Sequence, residues 1–289
     1  MNTTNQPKAS LIIAFYNNTQ ALDLIFNALS DQTEPNFEVI IADDGSKQDA
    51  VDFIAKRAEE LPYKVKHVWH EDKGFRKNRV LNHSILASNS NYLIFIDGDC
   101  IPQKHFIEDH VCNAEKGRSL CGRRAELPEK FTDDVLNSAY PGTFFEDNKY
   151  RLLFHYFTTN GKHKEKGRHV EKGLRIANPF IQHYLQRSKV KGILGCNFSI
   201  HKDDILKVNA FDMRYEAPAI GEDSDIDYRL NLVGITNKPL CNLGCQIHMY
   251  HPWLERPSVN KELFQETVKN KAAWAELGIS TLISGDNNE

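Results

Sequence analysis

The chain has 289 residues, of which 40% are hydrophobic and 26% charged, and its formal net charge is −3. These values are typical of a folded globular protein and exclude a disordered or collagen-like chain. No apolar run approaches the ~20 residues of a transmembrane helix, and the first residues lack the basic and apolar regions of a signal peptide. We therefore expect a cytoplasmic protein whose six cysteines are free thiols.

The charge is unevenly distributed along the sequence. Residues 149–191 contain seven Lys and four Arg against two Glu, and the rest of the chain is correspondingly acidic. Aromatic residues are interleaved with the beginning of this stretch: Tyr150, Phe154, Tyr156 and Phe157. We expect residues 129–191 to be a basic and aromatic insertion that contacts an anionic partner, either an anionic membrane or an anionic polysaccharide acceptor. A solvated surface is the alternative, and residues 160–167 are typical of a mobile loop.

The first hundred residues alternate between strand and helix patterns. Short apolar runs predict strands at 10–15, 37–42 and 92–96, with a weaker strand at 64–70. Apolar residues at helical spacing predict the intervening helices near 21–29, 51–61 and 77–87. This alternation predicts a mostly parallel sheet, in which ligands bind beyond the carboxyl ends of the strands. Farther along, the patterns predict a strand at 192–200 and helices at 222–232 and 258–277.

Acidic side chains follow two of these strands. Asp97, Gly98 and Asp99 come directly after the strand at 92–96, and Asp43 and Asp44 follow an earlier one. Carboxylates two residues apart can hold Mg²⁺ or Mn²⁺ together with a ribose or a phosphate, although such a pair alone is more often a solvated turn. We expect one carboxylate of the second pair to turn the chain and the other to face the cleft, where it can accept an N–H from a base.

The sequence Gly74-Phe75-Arg76-Lys77 begins a predicted helix. Arginine and lysine at a helix N-terminus suit a diphosphate, although a solvated helix end is the ordinary interpretation. The sequence contains no G-x-G-x-x-G after the first strand and no G-x-x-x-x-G-K-[ST] anywhere. A dinucleotide Rossmann site is therefore disfavoured, and a P-loop is excluded.

The predicted helix at 222–232 begins with four acidic residues, Glu222, Asp223, Asp225 and Asp227. The ordinary interpretation is an acidic first turn that complements the helix dipole, with Asp225 and Arg229 forming an i, i+4 pair. The functional alternative is that this group contains a general base.

His248 and His251 follow Cys241 and Cys245 closely, which raises the question of a zinc site. Four ligands within eleven residues are too tightly spaced for an ordinary structural zinc site. On an extended segment, His248 also faces away from both cysteines. A histidine that completes a metal site at Asp99 is the better interpretation.

In this order, the motifs resemble those of family-two glycosyltransferases with the GT-A fold. The first half carries Phe15-Tyr16-Asn17, Asp43-Asp44-Gly45-Ser46 and Asp97-Gly98-Asp99. The second half is similar to the β-1,4-galactosyltransferase type, through Gly195-Cys196-Asn197, Gly221-Glu222-Asp223 and His251. The resemblance implies an α/β protein with a Rossmann-like, mostly parallel sheet flanked by helices.

The resemblance also implies a single GT-A domain over residues 1–289. Its parts are a nucleotide-sugar-binding half at 9–128, the basic insertion at 129–191, an acceptor and catalytic half at 192–257, and a C-terminal helix and tail at 258–289. The implied activity is metal-dependent, inverting transfer of a hexose or N-acetylhexosamine from a UDP-sugar to a hydroxyl of a glycan or lipid-linked saccharide. Bacterial relatives of this type serve polysaccharide or lipopolysaccharide biosynthesis, often at the inner membrane face.

Each motif then receives a role from the resemblance. Tyr16, with Asp43 or Asp44, holds the uracil, and Asp97 holds the ribose. The remaining nucleotide-sugar-binding residues are Phe15, Gly74, Arg76, Lys77, Gly98 and Asp99.

The resemblance likewise assigns the metal and the catalytic groups. Asp99 binds Mn²⁺ or Mg²⁺, with His251 as a further ligand and His248 as a second imidazole in place of the family's methionine. Asp223 is the general base, and Glu222 hydrogen-bonds the acceptor.

Two other interpretations fit parts of the sequence. The strand ending in Asp97 and Asp99 also fits a haloacid-dehalogenase-type phosphatase, but Asp97 follows at least two strand–helix units instead of opening the domain. A non-catalytic module that binds an anionic polymer or glycan through 149–191 leaves the acidic edge of the sheet without a role. We expect no nucleic-acid partner.

Overall fold

A seven-stranded sheet forms the centre of the computed structural model, which describes residues 6–187, 192–218, 222–252 and 259–285, with only the backbone of Glu222. Its first four strands are β1 (Ala9–Phe15), β2 (Phe37–Asp43), β3 (Lys64–Trp69) and β4 (Tyr92–Asp97). They are parallel and lie in the order β3-β2-β1-β4. The connecting helices are α1 (Thr19–Ser30), α2 (Gln48–Glu60) and α3 (Lys77–Ala87).

The β1 and β2 strands are buried along almost their whole length because helices cover both faces of the sheet. Alternate residues of each strand point to opposite faces, so Leu11 and Val39 join one core cluster while Ile12 and Ile40 join the other. The apolar runs that predicted these strands are thus the two faces of one buried sheet.

The remaining strands of the chain are short, and they belong to two sheets. After β5 (Cys100–Pro102), the strands are β6 (Arg118–Cys121), β7 (Ala125–Glu126), β8 (Phe198–His201), β9 (Thr236–Pro239) and β10 (Gln246–His248). The β8 strand is antiparallel to β4 and β6, and β6 is parallel to β9. The strands β5, β7 and β10 form a small second sheet, in the order β5-β10-β7. In that sheet, His248 pairs with Cys100 on one side and with Glu126 on the other.

The remaining helices surround these sheets. They are α4 (Phe106–Asn113), α5 (Thr132–Leu136), α6 (Phe144–Thr158), α7 (His163–Lys166), α8 (Pro179–Leu185), α9 (Lys202–Leu206), α10 (Glu222–Leu232), α11 (Val259–Asn270) and α12 (Ile279–Ser284). In the ranges that the structure describes, no helix combines the length and apolar character needed to cross a membrane.

Three predicted elements differ from the structure. The strand predicted at 192–200 is reduced to β8, because the chain makes a turn closed by a hydrogen bond from the Asn197 N–H to the Leu194 carbonyl. The predicted C-terminal helix ends at Asn270, since Lys271 adopts a left-handed φ of 49°. The segment 160–167, predicted as a mobile loop, contains the one-turn helix α7.

Candidate active site

A cleft of about 510 Å³ opens at the carboxyl edge of the parallel strands. The predicted donor-site residues that line it are Phe15, Tyr16, Asp44, Gly74, Lys77, Asp97, Gly98 and Asp99. Close packing fixes a glycine at the β4 end of this edge. The Gly98 N–H donates to the Ala14 carbonyl at 2.7 Å, and a Cβ at position 98 would lie 2.8 Å from that oxygen. Only glycine therefore lets β4 continue into the cleft beside β1.

Asp43 and Asp44 take different roles, and the structure shows which carboxylate turns the chain. Asp43 is fully buried, where it accepts from the Ser46 N–H at 2.8 Å and contacts His67 Nε2 at 2.8 Å. Both of its oxygens are thus engaged inside the protein and it does not line the cleft, so Asp43 is the carboxylate of the pair that turns the chain. Asp44 lines the cleft.

Asp44 is held in place from α3 and from the loop before it. Its Oδ2 accepts from the Arg76 N–H at 2.9 Å, and its Oδ1 lies 2.7 Å from His70 Nε2. Arg76 also donates its guanidinium to the Glu71 carbonyl. Arg76 therefore orients Asp44 through its backbone, and its charge is directed at the loop before α3.

The exposed ring of Tyr16 stands at the mouth of the cleft. Its hydroxyl donates to Asp72 Oδ2 at 3.0 Å, and Asp72 Oδ1 accepts from the Gly74 N–H at 3.1 Å. These hydrogen bonds, the backbone one first, hold the pKa of Asp72 below its ordinary value. Sequence analysis missed Asp72, because no strand or helix pattern leads to it.

Asp97 lies between two cations. Lys77 Nζ donates to its Oδ1 at 2.9 Å, and an Arg124 nitrogen lies 3.9 Å from its Oδ2. Burial alone lowers the pKa of Arg124, but the adjacent thiols and the carboxylates of Asp97 and Asp99 raise it above its ordinary value. Sequence analysis missed Arg124, which follows the short strand β6. Its one signal was a pair of arginines after an apolar run that is too short to predict a strand.

Asp99, His248 and His251 converge at the other side of the cleft. Asp99 Oδ2 lies 3.1 Å from His248 Nε2 and 3.4 Å from His251 Nε2. Burial raises the pKa of Asp99, but the charge and hydrogen bonds of the two histidines outweigh it, and the resulting pKa lies well below the ordinary value. His251 directs its Nδ1 to the Pro252 carbonyl at 2.8 Å, so its Nε2 is the nitrogen directed at Asp99.

This group fits a divalent cation. One oxygen of Asp99 lies within 3.4 Å of a nitrogen of each imidazole, although the donor atoms found within 4.8 Å of one another are those of Asp99, His248 and Cys100, without His251. The second nitrogen of His251 is already held by a carbonyl, as in metal-binding histidines. The imidazoles favour Mn²⁺, because Mg²⁺ prefers an all-oxygen shell. Among the described residues, the clusters of potential metal ligands contain neither Cys241 nor Cys245.

Asp223, in the first turn of α10, lines a small pocket of about 10 Å³ that shares Ala14 and Lys77 with the cleft. Its Oδ2 lies 3.5 Å from the Gly195 N–H, and the Ser224 hydroxyl lies 3.4 Å from its Oδ1, so both contacts are at the limit of hydrogen bonding. Burial raises the pKa of Asp223 above its ordinary value, an effect that the charge of Lys77 partly offsets. The arrangement supplies a carboxylate with raised proton affinity. The Glu222 side chain lies outside the described atoms.

Two residues farther along α10, Asp225 follows the ordinary interpretation of this motif. The Arg229 guanidinium donates to Asp225 Oδ2 at 2.7 Å, and both side chains are about 1% exposed. Tyr215 donates its hydroxyl to Asp225 Oδ1 at 3.1 Å, and Arg229 donates to the Val208 carbonyl at 2.6 Å. This network attaches α10 to the interior and leaves Asp223 at the cleft.

Part of the positive charge of residues 149–191 is neutralised in the structure. Five of its eleven cations form ion pairs with acidic residues that precede this stretch: Lys149–Glu146, Arg151–Asp134, Lys164–Glu129, Arg168–Glu126 and Arg175–Asp109. The charge counted along the sequence therefore overstates the surface charge.

The sequence matches a known protein family and several known proteins. A family model described as Glycosyl transferase family 2 matches residues 10–178, more than half of the chain. The glycosyltransferase AglE of Haloferax volcanii is 32% identical over 128 residues, which cover 43% of this chain and 41% of that protein. A chondroitin synthase of Escherichia coli is 31% identical over 103 residues, 35% of this chain and 15% of that protein. The chain thus spans less than half the length of these curated relatives.

Structural comparison gives the fold. The mannosyltransferase PcManGT of Pyrobaculum calidifontis, solved with GDP-Man and Mn²⁺, superposes with a TM-score of 0.53 at 13% identity, over 85% of this chain and 57% of that one. The β-1,4-galactosyltransferase-like second half stays a prediction, since the family match ends at residue 178. The family-two resemblance and the expected α/β architecture are confirmed: the chain belongs to glycosyl transferase family 2 and has a GT-A fold.

Proposed function

We propose that the protein transfers a hexose or N-acetylhexosamine from a UDP-sugar to a hydroxyl of a glycan or lipid-linked saccharide, with inversion at the anomeric carbon. The observation that carries this proposal is that Asp97 and Asp99 line the cleft while Asp223 lines an adjoining pocket that shares Ala14 and Lys77 with it, each carboxylate in a different environment. Asp97 is paired with cations, Asp99 with imidazoles, and Asp223 only with weak donors. The family assignment removes the phosphatase and the non-catalytic module as alternatives.

The donor side of the cleft is assigned to residues 9–128. Tyr16 and Asp44 line a space suited to a base, since an exposed aromatic ring can stack on it and a carboxylate can accept its N–H. Asp97 is placed to hydrogen-bond the ribose. Lys77 and Arg124, on either side of Asp97, are placed to meet the negative charge of a diphosphate.

Asp99, His248 and His251 are the residues that would hold Mn²⁺ or Mg²⁺. Such a cation neutralises charge that develops on a leaving diphosphate. The Mn²⁺ bound by PcManGT, which shares this fold, supports a metal here, although the donor bound by that protein is GDP-Man.

The chemistry of the acceptor falls to residues 192–257. Asp223 removes a proton from the acceptor hydroxyl, and the oxygen attacks the anomeric carbon on the side opposite the leaving diphosphate. The raised pKa of Asp223 favours this proton transfer, because a carboxylate with higher proton affinity is a better base. We assign Glu222 to hydrogen bonding of the acceptor, on the strength of the resemblance alone.

Donor hydrolysis tests this function directly. UDP-glucose, UDP-galactose, their N-acetylated forms, UDP-glucuronate and GDP-mannose are incubated with the protein with and without Mn²⁺, and free nucleoside diphosphate is measured. We expect release from a UDP-sugar that requires the metal and is abolished in Asp99→Asn. Release from GDP-mannose alone would overturn the UDP assignment, and undiminished release by Asp99→Asn would overturn the metal assignment.

We also propose that the insertion contacts an anionic membrane. Tyr150, Phe154 and Phe157 are each at least 70% exposed and form one stripe along α6. Burial of such side chains at an interface adds to the attraction of nearby Lys162 and Lys164, which is worth about 1 kcal/mol for a basic residue near an anionic surface.

Two matched variants test this contact. One replaces Tyr150, Phe154 and Phe157 with Ser, and the other replaces Lys162, Lys164, Lys166 and Arg168 with Ser. Membrane docking predicts that both lose binding to phosphatidylglycerol vesicles while nucleotide affinity is unchanged. A raised acceptor KM with no effect on vesicle binding would assign the surface to an anionic acceptor instead. No change in either measurement would make it a solvated surface.

A further inference from the structure

Two cysteine thiols lie beside the candidate metal site. Cys100 is fully buried, and its Sγ lies 3.4 Å from Asp99 Oδ1, while Asp99 Oδ2 faces the histidines. One donor atom from each of Asp99, Cys100 and His248 lies within 4.8 Å of the other two. A second group, Asp97, Cys100 and Cys196, shares the same sulfur. The carboxylate of Asp99 thus stands between two nitrogens and a thiol.

This donor set differs from the one that Mn²⁺ or Mg²⁺ prefers. A thiol, an imidazole and a carboxylate together are typical ligands of zinc, whereas the harder cations select oxygen. Metal–ligand bonds of about 2.0–2.3 Å place the ligands of a tetrahedral ion roughly 3.3–3.8 Å apart. Asp99 Oδ1 lies 3.4 Å from Cys100 Sγ and Asp99 Oδ2 lies 3.1 Å from His248 Nε2, so each oxygen is near that spacing from one of the other two ligands. Small side-chain movements would close the site.

The backbone holds these residues together. In the small second sheet, His248 of β10 pairs directly with Cys100 of β5, so the two side chains leave neighbouring strands at the same level. His248 is about 2% exposed, and no described residue hydrogen-bonds its Nδ1. The site therefore combines a paired register of two buried residues, Cys100 and His248, with Asp99, which reaches the cleft.

We propose that Asp99, Cys100 and His248 bind a thiophilic divalent cation of the zinc class. Binding forms a sulfur–metal bond and releases the thiol proton to solvent. Because Asp99 and His248 also belong to the candidate catalytic cation site, one chain holds one ion or the other. A zinc-class ion then displaces the hard cation and inhibits transfer. This inhibition rests on the proposed function, but the binding does not.

Cobalt binding to the full chain, without nucleotide and under reducing anaerobic conditions, tests the site. A thiolate bound to Co²⁺ gives a ligand-to-metal charge-transfer band, and Zn²⁺ added afterwards removes it. We expect this band in the unaltered protein at one ion per chain. Cys100→Ser and Cys100→Ala should lose the band and bind Zn²⁺ at least about tenfold more weakly. Cys112→Ser, which alters an exposed thiol on α4, should keep both.

The outcomes separate this proposal from the proposed function. Absence of the band in the unaltered protein, or its persistence in both Cys100 variants, overturns the proposal. Loss of the band in Cys196→Ser but not in His248→Asn also overturns it, because the ion would then lie on the Asp97 group. If transfer is detected, Zn²⁺ should inhibit Mn²⁺-supported turnover, and Cys100→Ser should weaken that inhibition. If no transfer is detected, the cobalt spectra still decide the proposal.

Discussion

Two neighbouring regions of the molecule, the cleft at the edge of the sheet and the interior behind α10, hold carboxylates in different ways. In the interior, Asp225 meets both the Arg229 guanidinium and the Tyr215 hydroxyl. At the cleft, Asp223 has only weak contacts with Gly195 and Ser224. Burial raises the pKa of both carboxylates. Asp225 is about 1% exposed while Asp223 is partly exposed, so the regions differ both in burial and in how well each charge is compensated.

The helix itself produces this difference. Residues two apart on an α-helix point about 200° apart, so one side chain of the pair meets the core while the other meets the cleft. The Arg229 and Tyr215 side chains compensate the charge of Asp225, which therefore stabilises the fold. Asp223 has no comparable partner among the described residues, and its carboxylate is available for proton transfer. An acidic cluster at a helix start can therefore supply one carboxylate that stabilises the fold and another that is available for catalysis. Substitutions in the two regions should accordingly separate activity from stability.

The largest expected effect is on activity at the cleft. Asp223→Asn keeps the shape of the side chain but removes its ability to accept a proton, so the transfer rate should fall by about 10²–10⁴-fold. Nucleotide affinity should stay near normal, and the free energy of unfolding should stay equal or rise, because an uncompensated, partly buried charge is removed. Transfer kinetics, nucleotide binding and urea unfolding measure the three quantities. A parallel loss of nucleotide binding would place Asp223 in the donor site.

The pH dependence of kcat is a second test of Asp223 as the general base. The carboxylate acts as a base only when it is ionised, so kcat should fall as the pH is lowered through the raised pKa of Asp223. A kcat profile with no acid limb would show that this carboxylate is not the base.

The next effect is on stability in the interior. Arg229→Met leaves Asp225 buried without its cation, which should cost about 3–5 kcal/mol in the free energy of unfolding. The surface pair Lys149–Glu146 provides the control, since Lys149→Met should leave the free energy of unfolding almost unchanged. Adding Asp225→Leu to Arg229→Met should recover part of the loss, because no buried charge is then unpaired. Equal small losses at both pairs would show that the interior pair is no better compensated than the surface one.

The parallel half of the fold could be predicted from the sequence because an apolar run marks each of its long strands within its own segment. The apolar runs of β1, β2 and β4 are each long enough to show a buried strand, and the carboxyl edge follows from their parallel order. The strands β5, β7, β8 and β10 have two to four residues each, too few for any period to appear. Their positions depend on pairing with distant segments, as when β10 meets both β5 and β7.

The residues of the candidate site fall into the same two groups: some follow a strand that can be predicted, and others depend on distant segments. Asp97, Asp99 and Asp44 were predicted because they follow recognisable strands. The burial of Asp43 could not be predicted, since it depends on His67 in the neighbouring strand β3. Arg124 and the proximity of Cys100 to Cys196 depend on the short strands and the loops beside them, so no local pattern pointed to either.

The smallest of these effects concerns a buried group without charge. His110 is fully buried, with Nδ1 2.7 Å from the Ser199 hydroxyl and Nε2 3.1 Å from Asn197 Oδ1, and burial lowers its pKa to about 3. It stays neutral in the folded chain at pH values where the unfolded chain, with an ordinary histidine pKa of about 6.5, already binds a proton. Its contribution to stability is therefore complete above about pH 6.5 and is lost as the pH falls from there toward 3.

Urea unfolding at several pH values measures this loss. Between pH 7 and pH 5, His110 alone should reduce the free energy of unfolding by about 2 kcal/mol. His110→Asn should remove this part of the pH dependence even if it lowers stability at pH 7, because an amide does not titrate. The exposed His183 provides the matched control, and His183→Asn should leave the slope unchanged. An unchanged slope in His110→Asn would show that His110 is protonated within the folded interior, as an uncompensated charge that the surrounding Ser199 and Asn197 tolerate.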